Sequence, residues 1–205
     1  MADLPWTWLA IRASGITAWG LLTAVLVYGL LLRTRLLGSW ASPIRLMDLH
    51  RWLGVTAVAF LIVHMALLLV DPVIRFNPAQ ILIPGLAPWQ PLAVALGTLA
   101  FWAMIPVQLA GRFRSRLGKA GATVFKRAHW VAFAAWPLAT AHYLMAGTDA
   151  LADWSLAVLV MGAGLIVVGL LARGFVPPPA RATRPTASSS KAQPVAPADA
   201  LVGAS

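Results

Sequence analysis

The chain of 205 residues contains no cysteine. That absence removes disulfides, thiolate metal sites, iron–sulfur clusters and the C-x-x-C-H attachment of c-type haem together. Acid groups are nearly as scarce: six aspartates, no glutamate, and no carboxylate in the interior of an apolar run. A transporter or proton relay working through buried carboxylates lacks its usual groups here. Charged residues of all kinds make up 11% against 60% hydrophobic, which excludes an ordinary soluble domain and places the chain in the membrane class. A nicotinamide site is missing too. "GAGLIVVG" (162–169) opens like a dinucleotide fingerprint, but Val167 stands where the third glycine belongs and no strand precedes it.

What the chain does have is length in its apolar runs. A bilayer core of about 30 Å needs about 20 helical residues at 1.5 Å each. Five runs qualify, at 13–33, 50–70, 91–110, 124–146 and 153–173. The fold class expected is an all-α membrane protein, a five-span helical bundle. The N-terminus carries no basic region and no small-residue cleavage site, so the first run is read as a retained span.

The net charge of +10 suggests nucleic acid until its distribution is read. Arg33, Arg35, Arg45 and Arg51 lie between runs one and two; Arg112, Arg114, Arg116, Lys119, Lys126 and Arg127 lie between three and four. Arg173, Arg181, Arg184 and Lys191 follow run five, and the other two connections hold only Arg75 beside Asp71, Asp149 and Asp153. The positive-inside rule puts the N-terminus outside and the C-terminus in the cytoplasm. The charge sets topology, and no nucleic-acid partner is expected.

Trp6, Trp8, Trp89 and Trp154 suit the outer interface, and Trp40, Trp52 and Trp130 the cytoplasmic one. The connection 71–90, "DPVIRFNPAQILIPGLAPWQ", holds four prolines and reads either as a non-helical cap dipping into the interface or as a plain loop. From 174 onward proline, alanine and serine dominate without periodicity; that is a disordered cytoplasmic tail over 174–205, leaving one domain at 1–173.

All four histidines fall in two of the runs. "LHRWLGVTAVAFLIVH" (49–64) holds His50 and His64; "HWVAFAAWPLATAH" (129–142) holds His129 and His142. Runs two and four both follow cytoplasmic connections and run in parallel. His50 and His129 therefore share one depth, and His64 and His142 another. Along the helices the separations are about 21 Å and about 19.5 Å. One iron porphyrin per depth, with an imidazole on each side, needs this arrangement, and coordination also answers the cost of burying the rings. Gly54 and Ala57 on one run, and Ala132, Ala135 and Ala139 on the other, leave room for a macrocycle, with Phe133 and Trp136 at its edges.

Fourteen residues fall about 40° short of four turns, so His50 and His64 share a face; thirteen fall about 140° short, so His129 and His142 do not on an ideal helix. Pro137 frees the carbonyl of Phe133 between them, and either a kink or laterally offset haems would reconcile the two. Any one of these histidines alone could be a packing residue, and a matched pair could bind zinc or relay protons. Four of four at two matched depths favours two haems.

These residues also resemble a family. "LHRWLG…H" followed by "H…P…H", with "PLAVALG" opening the intervening run and "AGTD" closing the fourth, is similar to the ferric-reductase-like transmembrane domain over about residues 8–172. Its relatives include iron reductases, NADPH oxidases and the haem-binding membrane subunit of bacterial methionine sulfoxide reductase. The resemblance implies two b-type haems, His50 with His129 and His64 with His142 as axial ligands, in a family that commonly shows one more span than the five counted here. It also implies membrane electron transfer in a bacterial cell (inner) membrane.

The expected function is a conduit from a cytoplasmic or quinol donor to an external acceptor. Arg51 and Arg127, with Arg45 and Lys126, would pair with haem propionates or meet an acidic donor domain, or serve orientation alone. Without a flavin or nicotinamide domain, the donor must be a separate flavoprotein or a quinol, and no catalytic residue is assigned. The alternatives are a haem-bearing anchor for a periplasmic reductase, which would be its acceptor partner, and a haem-free transporter or proton relay. Membrane lipid is a partner in every case.

Overall fold

The computed structural model describes residues 6–34, 42–113, 116 and 118–175. Six helices follow one another: α1 (Trp6–Thr34), α2 (Pro43–Val70), α3 (Pro78–Leu82), α4 (Pro91–Phe113), α5 (Gly118–Ala146) and α6 (Asp153–Phe175). Proline marks their beginnings. Pro43 and Pro78 stand in the first turns of α2 and α3, where the missing N–H costs nothing. In α3 the Asn77 side chain accepts from the Gln80 N–H while the Gln80 side chain accepts from the Asn77 N–H, a capping box that starts a helix of only five residues.

Among the described residues, α1, α2, α4 and α6 are long and apolar enough to cross a bilayer. The fifth long helix, α5, is 29 residues long but less apolar, because its two histidines, Pro137 and several charged residues lie along it. All five expected runs are helical. The connection expected as a non-helical cap or loop instead contains α3, because its Asn-Pro-x-Gln sequence caps a helical turn. α6 runs to Phe175, two residues past the expected domain end at 173; the rest of the expected tail lies outside the described residues, as do Arg35, Trp40 and Arg114.

α1 packs along α2, α4 along α5, and α1 also meets α5 and α6. The interior mixes small side chains with large apolar ones such as Trp19, Leu22, Leu26, Leu30 and Met104. Ala57, Ala93, Ala100, Ala135 and Ala150 are buried, whereas Trp52, Val55, Val160, Met161 and Leu171 are exposed. Helices in lipid associate by this kind of close approach, because lipid tails are as apolar as leucine. On α6 the buried Ser155, Gly162 and Gly169 recur every seventh residue, and α1 reaches the last two with Thr23 and Leu30. α1 thus lies central, with α5 and α6 against it.

Polar groups in the interior are matched locally. The Trp19 indole N–H donates to Thr140 Oγ1 at 3.0 Å, and that of Trp136 donates to Thr23 Oγ1 at 2.9 Å. Tyr143 stacks on Trp19 and donates to Ser155 Oγ at 2.6 Å, while Ser155 donates to the Ala150 carbonyl. These bonds cross-link α1, α5 and α6 where no water competes for them.

Candidate functional site

α2 and α5 bring the four histidines together in two pairs. The ring centres of His50 and His129 are 6.0 Å apart, and those of His64 and His142 are 6.4 Å apart. Both pairs match the depths read from the sequence. Two metal–imidazole bonds of about 2 Å, with about 1 Å from each nitrogen to its ring centre, separate two rings on opposite sides of one metal by about 6 Å. The ring planes meet at 62° and 75°, angles that two imidazoles holding one metal would accommodate, because rotation about a metal–nitrogen bond leaves the bond intact.

The orientation of three rings is fixed by backbone. His64 Nδ1 lies 2.9 Å from the Ile11 carbonyl, His50 Nδ1 3.1 Å from that of Val25, and His142 Nδ1 2.8 Å from that of Ala93. A carbonyl oxygen only accepts, so each of these Nδ1 atoms carries the proton and Nε2 keeps its lone pair. That is the tautomer a metal-ligating histidine needs, and the bond to the carbonyl raises its basicity.

Glycines make the carbonyls reachable. A Cβ on Gly15 would stand 3.0 Å from the His64 ring, and one on Gly97 would stand 2.9 Å from His142 Nδ1. Neither ring could keep its place against an alanine. Gly29 stands behind His50 more loosely, with 3.3 Å to Cε1. His50 and His64 thus lean on α1 at two points fourteen residues apart, matching their own spacing in the antiparallel helix. His129 does not share the device. Its Nδ1 is buried with no hydrogen-bond partner, and Phe125 stacks on its ring at 5.0 Å. α5 stays helical through Pro137, and of its two histidines only His142 meets an α4 carbonyl.

A cavity of about 260 Å³ opens between His64 and His142, near the lower end of the about 300–1,000 Å³ that ligand sites occupy. Its walls are mainly apolar, with Leu22, Ala57, Met104 and Ala139 toward the bundle centre. The rim is polar. Arg12 forms an ion pair with Asp149, its Nε 2.8 Å from the carboxylate, and its guanidinium lies 3.9 Å over the Trp8 ring. Asp71, also buried on this wall, accepts from Thr7 Oγ1 and the Ile74 N–H.

Arg51 and Arg127, expected near the other pair, are both exposed; Arg51 is 3.8 Å from Asp48 on its own helix. Arg173 at the end of α6 also lies near that pair, with its guanidinium 4.3 Å over Trp130, the neighbour of His129. Sequence reading missed Arg12, Arg173 and the three glycines, since each acts through a partner on another helix. Spacing offered one signal for the glycines: Gly15 and Gly29 are separated by the same fourteen residues as His50 and His64.

Among the described residues no three histidine or acidic side chains gather as a metal site; the histidines meet only in twos. A family model described as "Ferric reductase like transmembrane component" matches residues 14–140, more than half of the chain. The chain belongs to this family. Comparison with curated proteins returns no match, and neither does comparison with solved structures. This ferric-reductase-like protein is an integral membrane protein, and its family places it in membrane electron transfer. The matched range takes in His50, His64 and His129, with His142 two residues beyond it.

Proposed function

We propose that the protein is a di-haem b electron conduit, spanning the membrane five times with its N-terminus outside and its C-terminus in the cytoplasm of a bacterial cell. The observation that carries this reading is the double pair of imidazoles, with ring centres 6.0 and 6.4 Å apart, about the separation that one metal held between two rings would need. Two protein ligands per site suit a cofactor that brings its own equatorial nitrogens, and they are too few for zinc, which takes three or four from protein.

His50 with His129 and His64 with His142 would hold the two irons, and haem b would supply one-electron chemistry at each depth. The chain's own part is to hold and orient. The Ile11, Val25 and Ala93 carbonyls fix three imidazoles as neutral Nε2 ligands, and the alanine and glycine faces let the helices close around a flat group. The apolar walls at His64 and His142 keep water from the ligands, while Arg12 supplies a cation for a carboxylate at the rim. Arg51, Arg127 and Arg173 make the other end basic, suited to an acidic donor domain or to propionates. The donor is a separate flavoprotein or a quinol, and the acceptor lies outside, as a small molecule or a periplasmic protein.

A dithionite-reduced-minus-oxidised spectrum of the purified protein tests the reading. Sharp b-type bands with about two haems per chain are expected. A featureless spectrum from protein made in haem-replete cells would sink it and leave the histidines to a haem-free relay.

A further inference from the structure

We propose that the connection between α2 and α4 is a re-entrant element, with residues 81–88 buried in the acyl chains of the adjacent leaflet, level with His142, rather than an aqueous loop. Two side chains of α4 fix its depth. Thr98 Oγ1 donates to the Ile81 carbonyl at 2.9 Å, and the Trp102 indole N–H donates to the Leu82 carbonyl at 2.8 Å. Thr98 also bonds the Val94 carbonyl, so its hydroxyl sits beside the stretch Ala93–Gly97 that contacts His142. Thr98 stands seven residues from Pro91, so the end of α3 lies about 10 Å along α4 at 1.5 Å per residue. α4 is about 34 Å long by the same rise, against a hydrocarbon core of about 30 Å. With α4 centred in the core, Ile81 and Leu82 reach about 8 Å below its boundary.

The chemistry of the segment agrees with that depth. Residues 81–88, "ILIPGLAP", contain no polar side chain. Leu82, Ile83 and Leu86 are exposed, and they continue the exposed apolar face of α4 at Leu92, Leu99 and Trp102. Ile81 and Ala87 turn the other way and pack with Phe76 and Val94, and Ile81, Phe76 and Val94 line the His64–His142 cavity. Non-helical backbone is tolerated in lipid only when its polar groups are satisfied within the protein. Over 83–88 that demand is lowered: the Ile83 N–H donates to the Ala79 carbonyl, the Leu86 N–H to that of Ile83, and Pro84 and Pro88 have no N–H, which leaves the N–H groups of Gly85 and Ala87 outside these bonds. Thr98 and Trp102 then satisfy carbonyls that a five-residue helix leaves free; in water those carbonyls would need no such donors.

The chain has no cysteine, so a single introduced thiol is unique. Ile83→Cys and Leu86→Cys, each spin-labelled in the full-length protein in phosphatidylcholine vesicles, should collide readily with oxygen. Their collisions with a water-soluble nickel chelate should be several-fold rarer than at Leu151→Cys, and close to those at Leu99→Cys on α4. Nickel collisions at 83 and 86 equal to those at 151 would overturn the proposal. Both side chains are exposed and contribute little packing, so either position decides the matter if the other variant fails to accumulate.

Discussion

Gly97→Ala puts the site's construction under the most exacting strain. The new Cβ would lie 2.9 Å from His142 Nδ1, 3.0 Å from Cγ and 3.1 Å from Cε1, so one whole edge of the ring is met. Ordinary carbon contacts of about 3.5–4.0 Å require the ring to retreat by about 0.5–1 Å. Its Nδ1–H bond to the Ala93 carbonyl, now 2.8 Å, would stretch past useful length. Overpacking of this kind costs about 1–3 kcal/mol. Loss of the outer hydrogen bond lowers metal affinity by about 10–100-fold. Gly20→Ala on α1 is the control, since nothing lies within 4 Å of its added Cβ. Haem content by the pyridine haemochrome method, with thermal unfolding in detergent, reads both consequences. The expected result is a fall toward one haem per chain and a lower midpoint for Gly97→Ala, with Gly20→Ala like the parent. Equal haem content and equal midpoints in the two variants would refute the claim that glycine places this ring.

Three further outcomes follow from the same contacts. Arg12→Ala or Asp149→Ala should destabilise the fold by about 1–3 kcal/mol by leaving a partly buried charge unpaired, and the double exchange of the two charges should restore much of it in thermal unfolding. Thr23→Val removes the acceptor of the Trp136 indole inside the bundle and should cost about 1 kcal/mol in a detergent unfolding titration; no change would mean the bond is not formed. His129 has no carbonyl behind it, so haem should leave the His50–His129 pair about tenfold faster than its neighbour when apomyoglobin is added, whereas equal rates would deny that the carbonyls matter.

Much of this protein was legible in its sequence because membrane helices announce themselves by length, and because an ionisable ring in an apolar run is conspicuous. His50, His64, His129 and His142 could be paired by depth from the charge of the connections alone. What could not be read was anything set by the register between two helices. Whether Gly15 faces His64 or lipid depends on the rotation of α1, which a nearly uniform apolar sequence does not encode. Arg12 and Asp149 are 137 positions apart, and nothing local marks them as partners. The thirteen-residue spacing of His129 and His142 looked like a conflict on an ideal helix. In the structure both rings still reach an α2 partner from an α5 that stays helical through Pro137, but only His142 gains an α4 carbonyl, an asymmetry that no count of residues contains. In the 71–90 connection the prolines were read as breaking structure, whereas Pro78 begins a helix.

Haem content across histidine replacements addresses the pairing most directly. Each single His→Ala variant should retain about one haem, the double variant of His64 and His142 should also retain about one, and the double variant of His50 and His64 should retain none. If the His64–His142 double variant lost all haem, or if any single variant kept two, the two-pair arrangement would be contradicted.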